Sequence, residues 1–418
     1  MISRWVRLEK YLNYLLVFLL PTQLALHFWP PSSFVYGIRV DYLAPSIYLT
    51  DLLFLTLFVI WLRNSRNRFF EFVRKNKTYL FIFLLMAALN IYFSTSVEPS
   101  IYKWLKLAEL GFFAYYVGVR RDIFQTKTLY STLFYSLIFF SVIGILQFVF
   151  GRTLGGPLYL LGERSFNIST PGIALVQIAG SNFMRAYSTF SHPNSFAGFL
   201  GLGVLVLLFD NSRKELIRKG LGIFVICVAF ILTFSLSAIV GALVCGILFL
   251  LIRNKLLLKR AVVYLPTAFL LVSLSFPFVS NTVLRGPIDF PQNIQTRLDL
   301  SNIAGTMISQ KFMLGEGINT FIVNEPRIKY FGTHLWTLQP VHNIFLLIFA
   351  ETGVVGLSIF YFLLTKLTQR SLLMRSPIFY LALAFVLTTG LFDHYWITLQ
   401  QNMFLFAFII GNYFRVEN

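Results

Sequence analysis

The sequence contains little charge. Asp, Glu, Lys and Arg make up 12% of its 418 residues, whereas hydrophobic residues make up 57%. A soluble globular protein of ordinary composition carries roughly 25% charged residues, and a disordered chain needs high charge with low hydrophobicity. Both classes are therefore excluded. The long, continuously apolar segments predict a helical integral membrane protein, since the strands of outer-membrane barrels are short and alternate in polarity.

Cysteine and the common cofactor motifs are also scarce. The two cysteines, Cys227 and Cys245, both fall within apolar segments, so a disulfide framework is not expected. The sequence has no P-loop, no GxGxxG segment after a strand and no HExxH motif. Its His, Cys and carboxylate residues do not show the spacing of metal ligands. We therefore predict neither a cofactor nor a bound metal.

Apolar segments of about 15–23 residues recur along the chain, which is the length that a hydrocarbon core of ~30 Å requires. They predict an all-α, polytopic transmembrane bundle of about twelve spans, with residues 1–418 forming a single membrane domain. The predicted spans are 11–29, 43–62, 78–94, 101–119, 130–150, 194–209, 220–235, 237–252, 261–279, 342–364, 377–392 and 398–414.

The distribution of basic residues supports this arrangement. Lys and Arg outnumber Asp and Glu by 35 to 17. If the N-terminus lies inside, most of the basic residues fall in the inner loops, as is typical of cytoplasmic loops. The pattern predicts that both termini are cytoplasmic. Membrane insertion with basic inner loops also accounts for the positive net charge, so the lipid bilayer is the predicted partner and no nucleic-acid partner is predicted.

Two predicted outer segments are long, at 151–193 and 280–341. Segments of this length are usually functional or disordered. The second one contains several aromatic residues, so we expect it to be one large, ordered outer loop. Every histidine of the chain also maps to an outer loop or to the outer end of a span, which predicts outward-facing chemistry: His27, His192, His334, His342 and His394.

The most specific motif begins the tenth span, in the segment VHNIFLLIFAETGVVGL. His342 and Asn343 are followed, after a fixed interval, by Gly353 and Gly356. The glycines would share one helix face and permit close packing of a second helix. A histidine near the water boundary can accept a proton at neutral pH. Asn343 could orient a substrate or, alternatively, cap the helix.

This motif resembles the signature of the O-antigen ligase and O-antigen polymerase superfamily. Four other segments resemble that family in the same order: RAYSTFSHPNSFAGFL (185–200), LTFSLSAIVGALV (232–244), RLDLSNIAGTMISQKFMLGEGINTF (297–321) and GLFDHYWITLQQNMFLFAFIIG (390–411). The resemblance covers most of residues 185–411. It implies an inverting, metal-independent glycosyltransferase of the bacterial cytoplasmic (inner) membrane. The implied donor is a glycan on undecaprenyl pyrophosphate, and the site would face the periplasm.

The resemblance also implies roles for individual residues. His342 would be the general base, and Arg297 would bind the departing pyrophosphate, because guanidinium groups suit phosphate oxygens. Arg185, His192 and Asn194 would bind substrate. The alternative for the HPN segment is a turn that starts a helix.

One position departs from the family. Leu236 follows Ser235 where many members carry arginine. Lys103 and Lys106, on one face of the fourth span, could replace the missing phosphate contact, because fixed cations stabilise a charged leaving group. The alternative is that Lys106 pairs with Glu109, since an ammonium group at membrane depth needs a partner.

Three functions compete at this stage. A ligase would move a finished polymer to an acceptor glycan or glycolipid such as lipid A-core, and a polymerase would extend a lipid-linked chain by one repeat. A non-enzymatic polysaccharide transporter or flippase is disfavoured, because transporters tend to show paired internal repeats and this sequence shows none.

The predicted orientation can be tested with reporter fusions. A reporter fused after Asn418 and another inserted near Lys255 should both give a cytoplasmic signal, because the basic loops hold these segments inside. A reporter near Gln292 should give a periplasmic signal. A cytoplasmic signal at Gln292 would contradict the topology.

Overall fold

Helices make up most of the protein. The computed structural model describes residues 4–124, 127–210, 219–251, 255–284, 292–329, 338–373 and 377–413. Within these ranges the helices are α1 (Arg4–Phe18), α2 (Leu49–Lys75), α3 (Lys77–Tyr92), α4 (Val97–Val119), α5 (Arg121–Phe124), α6 (Lys127–Phe150), α7 (Pro193–Asp210), α8 (Gly220–Leu232), α9 (Leu236–Leu251), α10 (Lys255–Leu284), α11 (Gln292–Gln310), α12 (Phe321–Ile328), α13 (Ile344–Leu373), α14 (Pro377–Gly390), α15 (Tyr395–Thr398) and α16 (Gln400–Tyr413).

Each predicted span overlaps one of these helices. In the described ranges, three segments are long and apolar enough to cross a membrane: Lys127–Phe150, Tyr264–Thr282 and Ile344–Gln369. Shorter apolar helices accompany them: Lys77–Tyr92, Pro193–Leu207, Gly220–Leu232, Leu236–Leu251 and Phe379–Gly390. The chain is therefore a helical membrane protein. The number of crossings and their orientation stay predictions.

The prediction of a purely helical fold requires a correction, because the described residues also contain short strands. They form three antiparallel pairs, β1 (Ala25–His27) with β4 (Ser46–Tyr48), β2 (Phe34–Val35) with β3 (Ile38–Arg39), and β5 (Leu175–Ile178) with β6 (Ser181–Met184). Pairing satisfies backbone groups in segments whose turns and prolines prevent helix formation.

The first two predicted spans are partly wrong. The span predicted at 11–29 stays helical only to Phe18, and Pro21 explains the end, because proline cannot donate a backbone hydrogen bond to a continuing helix. The span predicted at 43–62 becomes helical only at Leu49. Between these two helices, the paired strands β1 and β4 cross the predicted outer end of the bundle.

Buried aromatic rings fill the main core. The rings of Phe54 and Phe113 lie 5.3 Å apart, and those of Phe113 and Phe404 lie 5.0 Å apart. Trp61 and Tyr116 complete this fully buried group. Such pairs stabilise a core beyond the area that they bury. They hold α2, α4 and α16 together beneath the site described below.

The segment predicted at 280–341 is ordered where it is described. α11 packs against both α10 and α13. Leu300 and Met307 of α11 belong to one buried cluster with Leu347 and Ala350 of α13. Some of the aromatic residues on which the prediction of order rested lie outside the described ranges: Phe290, Tyr330 and Trp336.

A break in α13 joins this segment to the bundle. Gly353 has φ +66° and ψ −173°, so the helix is interrupted there. The N–H of Val354 donates to the carbonyl of Phe312 at 2.8 Å. A Cβ atom on Gly353 would lie 2.2 Å from the carbonyl oxygen of Met313. Gly353 therefore provides a docking point for backbone, and the interpretation that it shares a continuous helix face with Gly356 is wrong.

We expect Gly353→Ala to lower the unfolding midpoint of the purified protein in detergent. A positive φ with ψ near 180° is essentially restricted to glycine and costs a residue with a Cβ atom about 1–3 kcal/mol, and the contact with Met313 adds to it. Gly111→Ala is the control, because a Cβ there meets nothing within 4 Å and alanine favours helix. Equal midpoints for the two variants would contradict this account.

Candidate active site

Four segments meet at the predicted outer end of the bundle. They are the turn before α7, the turn between α14 and α15, the residue pair that precedes α13, and the first turns of α11. The centre of this cluster is the buried carboxylate of Asp393. The side-chain amide of Asn194 donates to its Oδ2 at 2.9 Å, and the backbone N–H of His394 donates to its Oδ1 at 2.8 Å.

Arg185 extends this network. Its Nη2 donates to Asn194 Oδ1 at 2.6 Å, and its Nε donates to the carbonyl of Thr233 at 2.5 Å. Thr233 lies in the turn before α9, three residues before Leu236, where the family often carries arginine. The side chain of Leu236 is 78% exposed. The guanidinium group of Arg185 is thus held at the turn before α9.

Two histidines lie beside Asp393. The rings of His342 and His394 are 5.2 Å apart, and ligand atoms of His342, Asp393 and His394 all lie within 4.8 Å of one another. Nδ1 of His394 is hydrogen-bonded to Thr398 Oγ1 at 2.8 Å. Nδ1 of His342 is buried and has no hydrogen-bond partner among the described residues. A neutral imidazole has one nitrogen that can accept a proton, so His342 can act as a base.

The same three residues could coordinate a divalent cation, which the sequence spacing did not indicate. However, both oxygens of Asp393 already accept hydrogen bonds, and Thr398 engages one nitrogen of His394. Arg297, which donates to the carbonyl of Phe392, also places a positive charge next to Asp393 that would repel a metal cation. These contacts favour proton transfer and charge stabilisation over metal binding.

Arg297 lies in the second turn of α11 and is half-buried. Its Nη1 donates to the carbonyl of Phe392 at 2.8 Å, which places the guanidinium next to Asp393. Among the described residues, no carboxylate lies within ion-pair distance of Arg297 or Arg185. Both groups keep a net positive charge at a site that is largely enclosed by protein.

Burial and charge set the protonation states. Burial lowers the pKa of His342 well below its ordinary value, and it lowers the pKa of His394 to about 4, so both rings are neutral at pH 7. Burial alone would raise the pKa of Asp393, but attraction to His342 and the other histidines, which become protonated at the low pH where this carboxylate titrates, and to Arg297 outweighs it. The resulting pKa is about 2, and Asp393 is ionised.

The other HPN residue, His192, has an exposed ring in a recess that protein surrounds. Its Nδ1 accepts a hydrogen bond from the backbone N–H of Asn194 at 3.2 Å. The HPN segment thus does both things that the sequence suggested: it starts α7, and it brings His192 and Asn194 to the site.

Asn343 caps α13. Its Oδ1 accepts hydrogen bonds from the N–H groups of Phe345 at 3.0 Å and Leu346 at 3.1 Å. Its amide donates to Ser273 Oγ at 3.1 Å and to the carbonyl of Leu391 at 3.3 Å. The structure therefore gives Asn343 the capping role, which orients His342. Direct contact with substrate stays a prediction.

The two lysines of α4 differ in their surroundings. Lys106 forms ion pairs with Asp51 and with Glu109, the latter at 3.0 Å, which is the alternative that the sequence left open. Lys103 instead donates to Met403 Sδ at 3.5 Å. Within the described ranges no carboxylate lies at ion-pair distance from Lys103.

Sequence reasoning missed the role of Asp393 and two other contributors to the site. Thr398 binds His394, and the ring of Tyr42 lies 5.6 Å from the ring of His394. The adjacent Asp393 and His394 were the available signal, but neighbours in sequence do not face each other on a helix. Here they lie in a turn, where this restriction does not apply. Nothing in the sequence around Tyr42 indicated its position.

Comparison with known proteins identifies a family that part of the chain resembles. Residues 221–361 match the family model described as O-antigen ligase. The match runs from α8 into α13 and includes Arg297, His342 and the break at Gly353. Over these residues the chain is similar to the O-antigen ligase family, which contains ligases and polymerases, and the resemblance inferred from the sequence is confirmed over that region. No curated protein sequence matches the chain.

Asp393 should make the stability of the protein depend on pH. Because its pKa is lower in the folded state, its contribution is present above the unfolded pKa of about 4 and is lost as pH falls towards 2. This contribution to the free energy of unfolding is on the order of 2 kcal/mol. We expect Asp393→Asn to lower the unfolding midpoint at pH 7. The difference in midpoint between this variant and the wild type should become smaller below pH 4. The exposed Asp122 provides the control variant, Asp122→Asn, and a gap that is constant with pH would contradict the assignment.

Proposed function

We propose that the protein transfers a glycan from undecaprenyl pyrophosphate to a hydroxyl group of an acceptor glycan or glycolipid, as an O-antigen ligase. One observation carries the proposal. A histidine with a free nitrogen, His342, lies beside an ionised carboxylate and near two arginines that lack carboxylate partners. These are the groups that a glycosyl transfer needs: a proton acceptor, its stabiliser, and cations for a leaving pyrophosphate.

The proton passes to His342. As the acceptor oxygen forms its bond to the anomeric carbon, the hydroxyl proton moves to the neutral imidazole. The bond between the anomeric carbon and the pyrophosphate oxygen breaks, and its electron pair leaves with the pyrophosphate. Attack from the opposite face inverts the configuration at that carbon. Asp393 remains ionised and stabilises the imidazolium that results.

Arg185 and Arg297 stabilise the leaving group. They lie close enough to repel each other electrostatically, since Arg297 contributes to lowering the pKa of Arg185 to about 10, after burial as the larger cause. An anion between them would remove this repulsion. A guanidinium group binds phosphate oxygens in a bidentate manner. Lys106 is neutralised by its two carboxylate partners, so it is not part of the proposed phosphate site.

An apolar groove suits the lipid part of the donor. It lies between α7, α8, α9 and α14 and has a volume of about 650 Å³. Leu200 at its edge follows Asn194 on α7 by six residues, a rise of about 9 Å along a helix. Among its described lining residues are Val204, Phe230 and Phe385. The first isoprene units could enter here while the pyrophosphate stays with the arginines.

A deletion strain tests the type of transfer. If the protein is a ligase, surface glycans on a gel will lack polymer on the acceptor while lipid-linked polymer accumulates. Acceptor that carries single repeats only would instead identify a polymerase. Unchanged glycans would overturn the proposal.

His342→Ala should reduce turnover by about two to four orders of magnitude, the usual contribution of a positioned general base. The measurement is transfer from a lipid-pyrophosphate donor in detergent, with folding checked by the unfolding midpoint. His334→Ala is the matched control, because His334 lies outside the motif; it also lies outside the described residues. Full activity of the folded His342→Ala variant would rule out this base.

A further inference from the structure

A small polar pocket adjoins the histidine pair. Its volume is about 160 Å³, below the roughly 300–1,000 Å³ of sites that enclose a whole ligand, so it suits a single sugar residue. Tyr42, whose ring contacts His394, and Thr398, whose hydroxyl binds His394, both line it. Arg185 and Arg297 are not among its described lining residues. The pocket therefore reaches the catalytic cluster without including the proposed phosphate site.

One cation of the pocket has no ion-pair partner among the described residues. Lys103 lines it and is only 8% exposed, and its hydrogen-bond partner in the described chain is the sulfur of Met403 at 3.5 Å. The buried carboxylate of Glu351 attracts Lys103 electrostatically but lies beyond ion-pair distance. The other cations of the pocket have carboxylate partners, since Lys106 pairs with two carboxylates and Arg164 pairs with Asp41 at 3.3 Å. Burying one unpaired ammonium is costly, so a ligand that supplies an anion would be bound strongly.

Two residues that line the pocket also contain a buried polar atom without a partner. Gln23 Oε1 and Ser191 Oγ are buried without a hydrogen-bond partner among the described residues. Buried polar atoms are rarely left unsatisfied in proteins. Tyr48 and Tyr102 add aromatic faces beside them. Hydrogen-bonding atoms next to aromatic rings and one cation are a suitable environment for a sugar that carries an acidic group.

We propose that this pocket binds the acceptor glycan through an acidic sugar, whose carboxylate or phosphate pairs with Lys103. The proposal rests on the proposed function and adds the chemical class of the acceptor. The acidic sugar would lie against Tyr42 and His394, and a hydroxyl of the same or the next sugar would reach the free nitrogen of His342. Lys103 would then select the acceptor, while the arginines bind the donor.

The test compares acceptors with and without acidic groups. Acceptor glycan from a deletion strain is used as isolated, after reduction of its carboxyl groups to hydroxyls, or after removal of its phosphate groups. Transfer kinetics are measured for wild type, Lys103→Met, Lys103→Arg and the control Lys77→Met, whose lysine is exposed at the start of α3. Because methionine removes a buried charge, Lys103→Met should fold, and its unfolding midpoint checks this.

We expect Lys103→Met to raise the acceptor KM about ten- to hundredfold, the usual contribution of a charged hydrogen bond, and to leave the donor KM within about twofold. Neutralising the acidic groups of the acceptor should raise the acceptor KM of the wild type by the same factor. It should leave the acceptor KM of Lys103→Met unchanged. Lys103→Arg should recover most of the affinity, and Lys77→Met should match wild type.

Three results would overturn the inference. They are an acceptor that carries no acidic group, an unchanged acceptor KM for Lys103→Met, and a change in the donor KM alone, which would assign Lys103 to the pyrophosphate. Direct binding of the isolated acceptor glycan to the His342→Ala variant separates this inference from the proposed function. Binding that depends on Lys103 supports the pocket even if no transfer is seen, and binding that is absent or independent of Lys103 contradicts it.

Discussion

The site depends on one buried carboxylate. Asp393 fixes the turn between α14 and α15 through the N–H of His394, and it holds Asn194 at the start of α7. Through Asn194 it also fixes Arg185. A buried charge is tolerated only when hydrogen bonds and opposite charge compensate it. The residues that compensate Asp393 are therefore held together, and they are the residues that the proposed transfer uses.

The pairing of charges separates structural cations from functional ones. Lys106 satisfies two carboxylates, so it stabilises the contact between α2 and α4. Arg185 and Arg297 bind backbone carbonyls, and Lys103 contacts a sulfur atom, so each keeps its charge. A protein maintains unpaired charge at such depth only at a cost. Anionic substrates on both sides of the histidine pair would explain why that cost is maintained.

The break in α13 connects the outer segment to this chemistry. Backbone groups after α11 bond to the broken turn at Gly353, while the cap at Asn343 starts the same helix beside His342. α13 therefore positions the proposed base at one end and anchors α11, with Arg297, further along. His342, Asn343 and Gly353 occur in one sequence motif because all three residues set the geometry of a single helix.

The sequence by itself indicated the class of protein and the approximate positions of most of the apolar helices, because apolar length is a property of contiguous residues. Through the family resemblance it also predicted His342, Arg297, Arg185 and Asn194 as site residues. It could not determine which ions pair. Lys103 and Lys106 look equivalent in sequence, and only the packing of α4 against α2 and α16 places Asp51 beside one and Met403 beside the other. The same holds for Asp393, Thr398 and Tyr42, which come from distant segments. Electrostatic partnership depends on distances of a few ångströms, and only the tertiary structure sets those distances.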